Sequence, residues 1–191
     1  MKKIYLLIFI FLGITADVNA DTNRLVSGEI DAKITIIAYE SLTCSHCASF
    51  HKDIYPQLKK DFLDTGLAKI EFRHFPLDIA AFNAAKIAQC NYNQGLEILE
   101  SLYSNQQEWV RGSSIEDVND NLKNFIEKEG FKINFEKCIN NKNIEDFVLN
   151  DRVEGVKNFK VNATPTIIIN NKKFEKSLNY KNLKKILEKL I

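Results

Sequence analysis

The tetrapeptide Cys44-Ser45-His46-Cys47 stands where the periodicity of the chain changes, and it limits the possible folds more than any other feature. Before it, Ile34-Thr35-Ile36-Ile37-Ala38-Tyr39 is short, apolar and β-branched, the pattern of a buried strand. After it, Phe50, Ile54 and Leu58 recur at helical spacing among Lys52, Asp53, Lys59 and Lys60. Two thiols three positions apart on the first turn of a helix can close a small disulfide ring and reopen it. The backbone N–H groups of that turn lack helical partners and the helix dipole is positive there, so a thiolate at Cys44 is stabilised. His46 offers a further donor or positive charge. These are the marks of a redox-active dithiol, with Cys44 as the solvent-facing nucleophile and Cys47, a turn inward, as the resolving thiol.

The first residues have the order of an export signal. Met1-Lys2-Lys3 is positive, Ile4 to Ile14 is apolar apart from Gly13, and Val18-Asn19-Ala20 supplies small residues at the cleavage positions. Cleavage after Ala20 leaves 171 of the 191 residues. The apolar run is too short to span a bilayer as a permanent helix, the alternative to cleavage being an uncleaved membrane anchor. The mature chain is expected outside the cytoplasm, where disulfides form and persist, and all four cysteines lie in it. Removing Lys2, Lys3 and Asp17 from 26 basic and 25 acidic residues leaves 24 of each. Zero formal charge argues against a nucleic-acid partner. No Pro/Gly/Ser-rich linker divides residues 21–191, so one domain is expected.

Along the chain, Pro56 falls within the helical pattern after the dithiol and should bend it. Lys69 to Phe75 alternates as a second strand and stops at Pro76. Residues 77–159 are helical in pattern, with Leu96 to Val110 reading as one helix and Ser113-Ser114 with Asp117 capping the next. Tyr92, Tyr103 and Trp109 fit the core of that block. Thr166 to Ile169, Asn170-Asn171 and Lys172 to Phe174 read as a hairpin. A last amphipathic helix should turn Leu183, Ile186, Leu187 and Leu190 inward.

Three features, in this order, resemble the thioredoxin superfamily and within it the DsbA-like thiol–disulfide oxidoreductases: Cys44-Ser45-His46-Cys47 after the first core strand, the helical block after Phe75, and Thr164-Pro165-Thr166 before an apolar strand. The resemblance implies an α/β thioredoxin-like fold, a mixed central sheet with a helical insertion at about 77–159. It implies a cis Pro165 against the dithiol, leaving the Thr164 backbone free to pair with an extended substrate. It implies disulfide exchange on reduced exported proteins in the periplasm, reoxidation by a quinone-linked membrane partner of the DsbB type, and no metal or organic cofactor. The sequence departs from better-known relatives in two places. Ser45 stands where proline is frequent, and Ala38 occupies the position six before the first cysteine where many relatives carry an acid. Glu40 shares that face of the strand by parity, as either an aid to proton removal from Cys47 or an exposed strand-end residue.

Other readings compete for the same residues. Cys44, His46, Cys47 and His51 lack the second paired motif of a structural zinc site. A purely structural Cys44–Cys47 bond closes too small a loop to stabilise anything. A non-catalytic, chaperone-like peptide-binding module is the rival from another functional class. His51, four residues after Cys47, reads as a surface helix residue, the alternative being that it faces the site, and His74 as structural or exposed. Cys90 and Cys138 are expected to form a structural disulfide within the helical block, the alternative being two buried thiols. A monomeric oxidase is favoured over a disulfide isomerase, although Thr164 beside the dithiol resembles isomerase-type relatives.

Overall fold

Strand β2 (Ile34–Glu40) is paired on both sides, which is why its sequence is apolar almost throughout. On one side it runs parallel to β3 (Ala68–His74), from Ile34 opposite Ala68 to Glu40 opposite His74. On the other it runs antiparallel to β4 (Thr166–Ile169), which turns through Asn170-Asn171 into the short β5 (Lys172–Lys173). Asn170 and Asn171 take φ of 44° and 64°, the left-handed conformation a two-residue hairpin turn requires. The computed structural model describes residues 23–191, so the export signal and its cleavage after Ala20 lie outside the described residues.

A fifth strand, β1 (Leu25–Gly28), extends the mixed sheet to the order β1-β3-β2-β4-β5. The sequence reading missed it, because four residues carry too little alternation to stand out. Its register against β3 ends at Gly28, which has φ 97°, and a Cβ there would lie 2.6 Å from the Ala68 carbonyl.

Ile36 and Ala38 face the larger core, beneath the dithiol helix and the helical block. Ile37 and Tyr39 face a smaller one with Phe75, Val161 and Ile168. Helix α8 (Lys142–Phe159) closes that second face, and Gly155 makes the approach possible: a Cβ there would meet the Tyr39 ring at 2.8 Å.

After the dithiol the chain runs through α1 (Ser45–Ser49), a π turn at Phe50–Ile54, α2 (Tyr55–Leu58) and a second π turn at Lys59–Leu63. Pro56 sits in the first turn of α2, where its missing N–H is tolerated, and the interruption appears as the π turn before it. Six helices, α3 (Ile79–Gln89) to α8, separate β3 from β4. Two readings of this block need correction. The segment Leu96 to Val110 divides at Asn105 into α4 (Tyr92–Ser104) and α5 (Gln106–Trp109), because Trp109 folds back and donates Nε1–H to the Leu102 carbonyl at 2.9 Å. Tyr92 is exposed rather than core. Helices α6 (Ile115–Lys128), with a Ser114–Asp117 capping box, and α7 (Phe135–Ile139) complete the block. Helix α9 (Tyr180–Leu187) buries Leu183 and Leu187, but Leu190 lies past its end and is exposed. Among the described residues no helix is long and apolar enough to cross a membrane.

Candidate active site

Cys44 is the N-cap of α1, with extended φ/ψ of −78° and 118°, and its carbonyl accepts from the Cys47 and Ala48 N–H groups at 3.1 Å each. The apolar β2 delivers the chain to this point, and helical geometry then carries Cys47 inward. Cys47 is fully buried, Cys44 is half-buried, and both thiols are free. The two sulfurs are therefore chemically unequal. The Cys44 thiol is lowered to about 5, chiefly by the hydrogen bond from Cys47, with Thr164 and the backbone N–H groups of Cys47 and His46 adding to it against the opposing effect of burial. The Cys47 thiol is pushed far above its ordinary range by burial first, then by its bond to Cys44 and by the negative charge of Glu40.

His46 and Ser45 are both exposed on this turn. The influence of His46 on Cys44 runs through its backbone N–H, where the sequence reading gave weight to the imidazole. The Thr164–Pro165 peptide is cis and lies against the dithiol: Cys44 Sγ donates to the Thr164 carbonyl at 3.4 Å. Thr164 Oγ1 is buried without a partner and can turn to a Cys44 thiolate as a donor.

Below the dithiol the structure overturns the surface reading of His51. Its ring is buried, Nε2 lies 2.8 Å from Glu40 Oε2, and it stacks on Tyr103 with centroids 4.1 Å apart and also faces Phe72. Glu40, the last residue of β2, is likewise buried, so the exposed alternative for it falls too. Glu40 Oε1 and His51 Nδ1 are left without hydrogen-bond partners. The Tyr103 phenol is raised well above its ordinary range by burial and by the charges of Glu40 and the two cysteines. His74 is buried as well, its pKa lowered to about 4 by desolvation despite a bond to Gln89 at 3.3 Å.

The sequence reading also missed Gln106. From α5 its Nε2 donates to the Leu42 carbonyl at 2.7 Å and to the Cys44 carbonyl at 3.2 Å, tying the helical block to the start of the dithiol helix. A lone glutamine after a helix break carries no sequence signal for this contact. Thr43 Oγ1 donates to Asp78 Oδ2 at 2.7 Å, and Asp78 in turn caps α3. Away from the site, Cys90 and Cys138 are joined by a disulfide, with Cα atoms 5.5 Å apart, linking the end of α3 to α7. Among the described residues no group of three or more His, Cys, Asp and Glu side chains is placed to hold a metal.

Comparison with known proteins agrees with this geometry. The thioredoxin family model matches residues 20–189. Disulfide bond formation protein D of Bacillus subtilis is 27% identical over 181 residues, covering 86% of this chain and 75% of that one. A putative protein-disulfide oxidoreductase of Rickettsia typhi is 25% identical over 154 residues, covering 78% of this chain and 56% of that one. Among solved structures, Wolbachia pipientis alpha-DsbA1 superposes with a TM-score of 0.79 at 28% identity, covering 88% of this chain and 90% of that one. BdbD from Bacillus subtilis does so with 0.72 at 26% identity, covering 87% and 92%. The chain belongs to the thioredoxin family, as a DsbA-like thiol–disulfide oxidoreductase.

Proposed function

We propose that the protein is a periplasmic oxidase that introduces disulfides into exported proteins. The observation that carries this reading is the inequality of the two thiols: an accessible Cys44 lowered to about 5 beside a buried Cys47 pushed far upward. A client thiolate attacks Cys44 Sγ of the Cys44–Cys47 bond. A mixed disulfide forms, and the bonding electron pair leaves on Cys47, which takes a proton. A second client thiolate then attacks the client sulfur and expels Cys44 as its thiolate. The client has lost two electrons and the enzyme is a dithiol. An acidic thiol is a good leaving group and makes the reduced form favourable, so the disulfide is a strong oxidant. Glu40 and His51 handle the proton of Cys47.

Thr164 and Pro165 receive the client backbone, and the Cys90–Cys138 bond is structural. The expected partners are reduced exported proteins and a DsbB-type membrane reoxidant, and the expected state is a monomer. The export signal in the sequence supports the periplasmic placement. The deciding assay is refolding of a reduced multi-disulfide protein beside refolding of its scrambled form. Fast oxidation with slow unscrambling supports the oxidase. Efficient unscrambling with little oxidation makes the protein an isomerase instead, and neither activity leaves only the peptide-binding module.

A further inference from the structure

A cleft of about 510 Å³ runs along one flank of the dithiol helix, between the helix and the segments that carry Pro165 and Leu178 to Tyr180, the last of these at the start of α9. Its lining is mixed: Phe50, Ile54 and Pro165 are apolar, Ser49, Gln57 and Asn179 are polar, and Asp53 lies on the helix side. Apart from His46, Asp53 is the sole ionisable Asp, Glu, Lys or Arg side chain among the described residues that line it. Its carboxylate is exposed and takes part in none of the ion pairs among the described residues. Gln57 bonds only its backbone carbonyl. The opposite flank of the helix is different in sign: Lys52 lines a second cleft, of about 540 Å³, with Ser104 and Gln107.

We propose that the Pro165-side cleft selects extended client segments carrying a lysine or arginine about four residues from the cysteine that attacks Cys44. This rests on the oxidase reading and narrows its substrate class. Asp53 is nine positions beyond Cys44. At a helical rise of about 1.5 Å per residue through α1, and less through the π turn that holds Asp53, it stands at most roughly 13 Å along the helix from the nucleophile. An extended client advances about 3.3 Å per residue, so its fourth residue from the attacking cysteine comes level with Asp53. Because the carboxylate is unpaired, a basic side chain there gains a partner and an acidic one meets repulsion. The exposed position limits the effect to about two- to fivefold, screened by salt.

The test uses the oxidised mature protein and reduced nine-residue peptides with one cysteine and either Lys or Glu four positions from it, on each side in turn. The initial rate of thiol loss should be about two- to fivefold higher for the Lys peptide on one side at low salt. The difference should vanish in Asp53→Asn and at high salt, and persist in Lys52→Gln. Equal rates for the two peptides, or a preference that survives Asp53→Asn, overturn the proposal. Unreactive versions with serine for cysteine keep the two readings apart. If no peptide is oxidised, the oxidase reading fails, and the binding ratio of the Lys and Glu serine peptides still decides the cleft: a preference lost in Asp53→Asn upholds it, and equal binding overturns it.

Discussion

His51 Nε2 and Glu40 Oε2 meet at 2.8 Å in a pocket closed by Phe72 and Tyr103, which share one core with Cys47. The charge of Glu40 is one of the influences that raise the Cys47 thiol, so the pair and that sulfur share a field. A thiolate expelled from Cys44 onto Cys47 lies in a buried site that disfavours charge, and it must be protonated as it forms. Glu40→Gln keeps the shape while removing the charge and the exchangeable proton. Resolution of a glutathione adduct at Cys44 by Cys47 should slow about a hundredfold, the ordinary contribution of one general acid–base group. The rate should still rise with pH, because Cys47 must ionise to attack, while the Cys44 titration stays near 5. An unchanged resolution rate would remove Glu40 from the proton path.

Cys44 should titrate near pH 5 in the reduced protein, read by the ultraviolet absorbance of its thiolate. Its folded value lies below the ordinary thiol range. The reduced fold therefore gains stability over the unfolded chain as pH rises from about 5 towards the unfolded value, and loses it as pH falls through 5. The oxidised fold has no such group, so the stability gap between the two forms should widen in favour of the reduced one over that window. Thr164→Val removes a donor to the thiolate and should raise the midpoint by about half a unit to one unit, the worth of one hydrogen bond. A midpoint that stays put would show that Thr164 acts through its backbone alone.

Replacing both Cys90 and Cys138 by alanine should lower the unfolding free energy without disabling the dithiol. The bond joins residues 48 positions apart, and a loop of that size corresponds to about 4 kcal/mol in the chain-entropy account. Denaturant unfolding measures the loss, and glutathione equilibration reads the dithiol. An exchange constant that moves with the double variant would mean that the helical block transmits strain to Cys44.

His74 should make the fold sensitive to acid. Burial holds its folded pKa at about 4, against an ordinary value of 6.5. The unfolded chain thus binds a proton more readily between those two values, and stability falls as pH drops from 6.5 through 4. The full difference amounts to about 3 kcal/mol. His74→Gln should flatten this part of the stability-against-pH curve. A slope that persists in the variant would assign the acid sensitivity elsewhere.

Local pattern alone determined the dithiol, the strand before it, the hairpin at Asn170-Asn171 and the Ser114 capping box. Each is set by residues within a few positions of one another, through alternation, backbone preference or a side chain reaching its own turn. The general thioredoxin-like order was also legible, because Thr164-Pro165 follows the dithiol and the helical block in the expected sequence. Tertiary structure decided what lies under the dithiol. His51 is four residues beyond Cys47 and shares its helix face with Ile54 and Leu58, so the spacing allowed an inward side chain, but its polar type and the exposed Lys52 and Asp53 beside it favoured the surface. It is buried because Phe72 of β3 and Tyr103 of α4 close over the same face, bringing it to Glu40 from eleven positions away. Gln106 reaches the Cys44 carbonyl across 62 positions in the same way, and β1 is a strand only because β3 is there to pair with it. Burial and long-range hydrogen bonding depend on which elements meet, and local periodicity carries no record of that.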